Sequence, residues 1–427
     1  MGTGSGNRVL LMPDRTAAEP YGREGLPLDQ ARARILAALQ PLGAQEILPL
    51  AESLGRTTAA PVCSAAAVPG FAASIMDGYA IAGAVPPPVG ACWRLVGTAA
   101  AGAPYGGVLS EGEAVRIFTG AEVPQGSERV LPQELVAVAG EALELRQACG
   151  ANAWIRRPDE EAAPDQVLVP AGQRLGVADL GRLASCGIQQ LSLTRRPRLG
   201  LLISGDELLP PGLPRGPGQI WESNSALLTA LLLRLGYTVA EQKVVVDAPQ
   251  ALRDALQELA AGCDVVVSTG GVSAGDSDWI RPLVEQLGQV HFWKLFLKPG
   301  RPFAWGEVAG VPFFGLPGNP VAAAITALQL LWPALQRLEG AEMALLPRLQ
   351  VQLEQSMRRG AGRPELARAR LVVAADGGLW ARVDGSQASS RIGSLQGADL
   401  LLEIPAELGK LEAGTLLWAQ LLRVPIF

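Results

Sequence analysis

The sequence predicts an α/β protein with added β domains: a central doubly wound parallel sheet, a helical linker domain, an inserted β-rich module and a C-terminal β barrel. Three observations carry this expectation. Between 196 and 340, short apolar runs alternate with amphipathic stretches, the order of a parallel sheet covered by helices on both faces. Earlier, from about 45 to 170, the chain breaks into short runs punctuated by VPG, GAVPPPVG, GAPYGG and AEVPQG. After about 346, apolar and polar residues alternate around Asp-Gly pairs at 376–377 and 384–385, which reads as a small barrel or sandwich.

Taken in order, residues 1–25 read as a flexible extension. The stretch 26–42 is an expected amphipathic helix, with Leu28, Ala31, Ile35 and Leu39 near helical spacing. Residues 45–151 form the β-rich module, with strands expected at 114–118 and 129–131. A second helix is expected at 177–186, so that 26–44 and 152–195 would close one helical linker domain around the module. In the central domain, 196–345, strands are expected at 199–204, 239–246, 265–269 and 290–297. Helices are expected at 224–235, 249–261, 278–287 and 320–338. Residues 346–427 form the C-terminal barrel domain.

Composition narrows the function. The chain has 427 residues, 48% hydrophobic and only 18% charged, enough for two to four domains with sizeable cores. Its 50 glycines and 33 prolines imply many turns and short strands rather than a bundle. A formal charge of −5 argues against nucleic acid or anionic membrane as the main partner. No run approaches the roughly 20 uninterrupted apolar residues of a spanning helix. MGTGSGNRVLLMPDR lacks the charged and apolar regions of a secretory signal, so a cytoplasmic protein is expected. Five scattered cysteines without a C-x-x-C make disulfides or a zinc cluster unexpected. The single histidine, His291, lies in a strand-like run, where packing is the favoured reading. Chemistry must then rest on carboxylates, lysines, arginines, hydroxyls and backbone amides.

Those groups converge on one edge. STGGVSAGDSD (268–278) follows the apolar run Val265-Val266-Val267. Its glycines permit positive φ and close backbone approach, and its Asp276 and Asp278 add carboxylates. Amides and carboxylates together suit a phosphate with a divalent cation; a tight turn with Ser277 or Asp278 as N-cap is the alternative. Gly205-Asp206-Glu207 follows the first expected strand, Asp247 the second, and Lys298-Pro299-Gly300-Arg301-Pro302 the fourth. Carboxyl ends of parallel strands are where such sheets bind ligands. Lys294 and Lys298, four apart on an expected strand, would share a face about 13 Å from each other. They would clamp an oxyanion or form a solvated edge. Asn319 and Pro320 of GLPGNP (315–320) suit a helix cap, or aim free amides at an anion.

In order along the chain, SGDEL (204–208), STGGVSAGDSD, KLFLKPGRPF (294–303) and GLPGNP resemble the molybdenum cofactor biosynthesis domain. SIMDGYA (74–80), RIFTGAEVP (116–124) and GRPELARARL (362–371) narrow the resemblance to the molybdopterin molybdenumtransferase family of MoeA type, related to the E domain of gephyrin. It covers roughly 26–425. It implies a four-part homodimer whose site lies between the α/β domain of one subunit and the β module of the other. The implied reaction inserts molybdate into adenylylated molybdopterin and releases AMP with Mg²⁺; the upstream adenylyltransferase is a candidate partner.

The resemblance also implies roles. Glu207, Asp247 and Asp278 match acidic positions expected to coordinate Mg²⁺ or orient water. Lys294 and Lys298 would hold phosphate or molybdate oxygens, with Arg363 and Ser389 completing the oxyanion site. Asp77 and Thr119 would act from the partner's module. Substrate contacts are expected at Gly270, Gly271, Ser273, Gly275, Asp276, Pro299, Arg301, Gly318, Asn319 and Pro320. The chain departs from the family pattern at Ala72-Ala73, Ala322, Ala388 and Arg156-Arg157-Pro158-Asp159-Glu160. A nucleotide pyrophosphatase or the adenylyltransferase itself would resemble only the central block, and a pure scaffold need not keep acids and lysines at every strand end.

Overall fold

A six-stranded sheet organises the larger part of the molecule, in the order Val239–Val245, Leu199–Ser204, Val265–Thr269, Val311–Leu316, Ala304–Val308, Gly288–Trp293. The computed structural model describes residues 25–271 and 279–422. The first four strands are parallel. Leu199–Ser204 and Val265–Thr269 are buried at every residue, which is why they read as unbroken apolar runs. Their alternate side chains feed two layers. Leu201, Ile203 and Val267 pack with Leu228, Leu232 and Leu335. Leu202 and Val266 pack with Leu252, Leu256, Leu283 and Val284. The sheet is therefore covered by helices on both faces.

The structure corrects the fourth expected strand. Gly288–Trp293 ends before Lys294, which adopts φ +80°, so Lys294 and Lys298 do not share a strand face. Two strands that the sequence reading did not anticipate follow. Ala304–Val308 runs antiparallel to both neighbours and turns through Ala309 and Gly310, φ +51° and +81°, into Val311–Leu316. That positive-φ pair is the backbone a two-residue hairpin needs. His291 is a packed strand residue, 5.7 Å between ring centroids from Trp305 and with Nε2 3.2 Å from Glu307 Oε1.

The expected helix 320–338 is three segments: α-helix Pro320–Thr326, a π turn Ala327–Leu331 and α-helix Trp332–Glu339. Pro333 has no N–H to give to the carbonyl of Gln329, which favours a wide turn there. Arg32 Nε donates to that carbonyl instead, at 3.0 Å. Among the described residues, Pro320–Glu339 is the one helix long and apolar enough to cross a membrane; 89% of its most apolar window is buried inside the fold. It is a core helix.

Five strands close the C-terminal barrel: Arg348–Leu353, Leu379–Arg382, Glu365–Val373, Leu400–Ile404 and Leu416–Leu421. Ala367, Ala369, Ala381 and Ala419 share its core with Leu353, Leu400, Leu402 and Leu417. Small residues let so few strands close around branched ones.

By contacts the chain forms two units, one of 47–54 with 58–193, the other of the remainder. The two helices expected to share a linker domain fall into different units. Ala31, Ile35 and Leu39 of Leu28–Ala38 join the α/β core with Leu330, Ala334 and Leu338. Leu183 of Val177–Ser185 packs with Leu168, Val169, Leu191 and Leu193. Apolar spacing marks a buried face but does not say which core buries it. The smaller unit carries its own six-stranded sheet, in which Glu113–Ile117 and Arg129–Pro132 occupy the two expected strands.

Candidate functional site

The carboxyl ends of Leu199–Ser204, Val265–Thr269 and Val311–Leu316 open onto a cleft of about 820 Å³. Its walls include Glu207, Gly270, Gly271, Lys298, Pro299, Arg301, Gly318, Asn319 and Pro320, with Arg363 and Ser389 from the barrel domain. The cleft thus gathers eleven of the expected site residues, two of them from the barrel domain.

Glycine is needed where two of its loops meet. Gly270 has φ +86°, and a Cβ there would stand 2.7 Å from the Ser204 carbonyl oxygen. A Cβ on Gly318 would lie 3.5 Å from Gly270 Cα. Asn224, 8% exposed, ties the strand ends together: its Nδ2 donates to Gly318 O at 2.8 Å and to Thr269 Oγ1 at 3.3 Å. Its Oδ1 is buried without a hydrogen-bond partner among the described residues. At the start of Pro320–Thr326, Asn319 makes no side-chain cap. It donates instead to Ser389 Oγ at 3.0 Å, while Val321 N–H donates to Ser389 O at 3.1 Å.

Lys298 is pinned at its backbone by strand-like bonds to the barrel, N–H to Pro364 O at 2.9 Å and O from Leu366 N–H at 2.8 Å. Its Nζ lies 3.2 Å from Glu365 Oε2, an oxygen also 3.0 Å from Arg359 Nε. Glu365 is 1% exposed, so its charge is compensated by these cations rather than by water. Arg363 reaches Leu297 O at 3.5 Å, a long contact that leaves its guanidinium to the cleft. Behind the Ser389 loop, buried Arg368 holds Ser394 Oγ at 3.1 Å and Ala388 O at 3.3 Å.

Asp206 accepts the Asp247 N–H at 3.0 Å, which brings two carboxylates together beside Glu207. Burial pushes the Asp247 carboxyl above its ordinary range, and the charges of Asp206 and Glu207 add to the shift. A hydrogen bond from the Ser204 hydroxyl opposes the shift, more strongly than either neighbouring charge adds to it, without cancelling the effect of burial. Glu207 lines the cleft; Asp247 and Lys294 are not among its lining residues. Among the described residues no group of three acidic, histidine or cysteine side chains is close enough to hold a metal. Ser273, Gly275, Asp276 and Asp278 lie outside the described residues.

In the smaller unit the structure brings Asp77 and Thr119 together. Thr119 donates both its N–H and its hydroxyl to Asp77 Oδ1, each at 2.8 Å. Those bonds, the backbone one foremost, hold the Asp77 carboxyl below its usual range.

Sequence reasoning missed Asn224, Arg359, Glu365 and Trp221. The signals were slight: Asn224 reads as the polar first residue of a helix, and Glu365 within GRPEL reads as one more polar residue. Two departures from the family pattern, Ala322 and Ala388, line the cleft.

Three family models cover most of the chain: the MoeA N-terminal region (domain I and II) over 26–187, a probable molybdopterin binding domain over 200–337 and the MoeA C-terminal region (domain IV) over 350–422. A molybdopterin molybdenumtransferase of Haemophilus influenzae is 32% identical over 91% of this chain and 96% of its own length. Gephyrin of Dictyostelium discoideum is 28% identical over 93% of this chain, which spans 62% of that protein. A crystal structure of the molybdopterin biosynthesis MoeA protein of Pyrococcus horikosii superposes with TM-score 0.76 at 25% identity, over 94% of this chain and 100% of that one.

Proposed function

The chain belongs to the molybdopterin molybdenumtransferase family, enzymes of molybdenum cofactor biosynthesis, and on that premise we propose that it inserts molybdate into adenylylated molybdopterin with release of AMP. The observation that carries this reading is the common cleft of Lys298, Arg363, Ser389 and the glycine-bearing loops.

The proposed division of labour follows from each group's chemistry. Lys298 and Arg363 bring two cations to one cleft, which suits a tetrahedral dianion, and Ser389 adds a hydroxyl to the same lining. Close-packed loops at Gly270 and Gly318 let phosphate oxygens approach backbone rather than side chains. Arg301 extends that anion-binding wall. Cleavage of the phosphoanhydride then needs orientation and charge neutralisation, with no covalent bond to the protein.

For Mg²⁺ the described residues offer carboxylate oxygens but no set of three close enough to hold the ion, so the site would need Asp278 as well. The charges of Asp206 and Glu207 raise the Asp247 carboxyl, a repulsion that a divalent cation would relieve. Glu207 and Asp247, with Asp278, are the residues proposed to hold it. When bound it would neutralise the anhydride oxygens. Lys294, outside the cleft lining, is assigned to the outer phosphate path. Asp77 and Thr119 are proposed to complete the site from the β module of a second subunit in a cytoplasmic homodimer, which the upstream adenylyltransferase would supply with substrate.

The test is Mg²⁺-dependent release of AMP from adenylylated molybdopterin, with and without molybdate. Release that requires both ions supports the reading. Adenylylated molybdopterin left intact under all conditions would overturn it.

A further inference from the structure

Three neighbouring side chains in the lining of the cleft are apolar: Leu208, Ile220 and Trp221, from a short parallel pair, Leu208–Leu209 with Ile220–Trp221. Ile220 is 48% exposed and Trp221 47% exposed. Large apolar groups left in water at the wall of a polar cleft mark a contact surface for a ligand.

Trp221 is exposed without being loose. Its indole N–H donates to Leu213 O at 2.8 Å. The Arg215 guanidinium lies over the ring, 4.3 Å from its centroid. Both partners belong to the stretch PPGLPRGPG (210–218), in which prolines fix φ on either side of Leu213 and Arg215. One edge and one face of the indole are therefore fixed by the protein, and the exposed area falls on what is left. A preorganised aromatic face suits a second flat ring, because stacking needs only a π-face and little ordering on binding.

We propose that Trp221 is the stacking platform for a planar heteroaromatic ring of the substrate, the adenine or the pterin. The assignment rests on the proposed function, since that substrate carries both rings. It adds a subsite that recognises the ring system, distinct from the proposed oxyanion subsite of Lys298, Arg363 and Ser389.

The experiment measures equilibrium binding of adenylylated molybdopterin, AMP and molybdopterin to the full chain, as wild type, Trp221→Ala and Trp221→Phe. Stacking predicts that Trp221→Ala weakens adenylylated molybdopterin about tenfold while Trp221→Phe stays within about threefold. The molybdate concentration for half-maximal turnover should not move in either variant. Weakening of AMP alone identifies the adenine, and weakening of molybdopterin alone the pterin. Wild-type affinity in Trp221→Ala, or an equal loss in Trp221→Phe, would overturn the platform while leaving the proposed reaction standing. Failure of the wild type to bind adenylylated molybdopterin would overturn that reaction and the platform together.

Discussion

Lys298 Nζ and Arg359 Nε meet on one oxygen of Glu365, at 3.2 and 3.0 Å, with Glu365 and the Arg359 side chain almost wholly buried. Arg359 balances the buried carboxylate, and the carboxylate fixes the direction of the lysine ammonium. Lys298 lines the cleft while Arg359 and Glu365 belong to the barrel domain, so Glu365 links barrel stability to the proposed anion site. Glu365→Gln should raise the molybdate concentration for half-maximal AMP release by about tenfold, roughly the 1.4 kcal/mol of one charge-assisted hydrogen bond. Turnover at saturating molybdate should fall much less, and Glu365→Asp should recover part of the loss. An unchanged or lowered molybdate requirement in a folded Glu365→Gln would show that Glu365 does not orient Lys298.

The acidic cluster makes a prediction of opposite sign for stability and activity. Asp247 has a raised carboxyl in the fold, so its contribution to stability is fully present below about pH 3.9 and is lost as pH rises through the folded value. At pH 7 its charge is a net cost. Asp247→Asn should therefore raise Tm by about 1–2 °C at pH 7, a small gain because the group is half-exposed and screened, and the gain should vanish toward pH 4. Mg²⁺ should raise the Tm of wild type more than that of the variant. Calorimetry that finds equal Mg²⁺ effects in both would remove Asp247 from the metal site. AMP release should fall in the same variant.

Gly270→Ala tests the contact between loops. A side chain at φ +86°, with its Cβ 2.7 Å from the Ser204 carbonyl, must push the loop away from the strand end. The strain is on the order of 1–3 kcal/mol. The expected result is loss of AMP release with a modest fall in Tm and an intact barrel by hydrogen exchange. Full activity would mean that the close approach is not used.

The parts legible in the sequence were those set by local pattern. A strand buried on both faces reads as an apolar run, so Leu199–Ser204 and Val265–Thr269 were found with their bounds. Ligand groups at strand ends followed from topology. The pair 304–308 and 311–316 was not legible, because Pro312 and the GLPG that follows made the second run look like loop. Lys294 was misplaced because its positive φ leaves no mark in an apolar-polar alternation. Asn224 and Glu365 depend on partners 94 and 67 residues away, which no periodicity reports.

Asp77 should show its hydrogen bonds in a titration. Its folded pKa is depressed by Thr119, so it stays ionised into more acid solution, and the stability it contributes is lost only as pH falls through that lowered value. Thr119→Val removes the hydroxyl and keeps the backbone donor, the larger cause. The Asp77 carboxyl carbon, followed by NMR, should titrate higher in Thr119→Val than in wild type without reaching the ordinary carboxylate value. The acid edge of AMP release should move with it if Asp77 acts in its charged form. An unmoved titration would mean that the hydroxyl bond is not kept in solution.

The proposed two-subunit site can be tested by mixing lesions. Asp77 stands in the smaller unit and Lys298 in the larger, so an Asp77→Ala chain and a Lys298→Ala chain are damaged in different units. If each site takes its β module from the neighbouring subunit, a hybrid dimer carries both lesions in one site and none in the other. Random isologous pairing makes half the dimers hybrids, each with one intact site of two, so a mixture should recover about a quarter of wild-type AMP release. Each variant alone should remain near background. If both residues served a site within one chain, every site in every dimer would carry one lesion and mixing would restore nothing. Subunit exchange, followed by mass-tagged chains, separates that result from dimers that never reassorted.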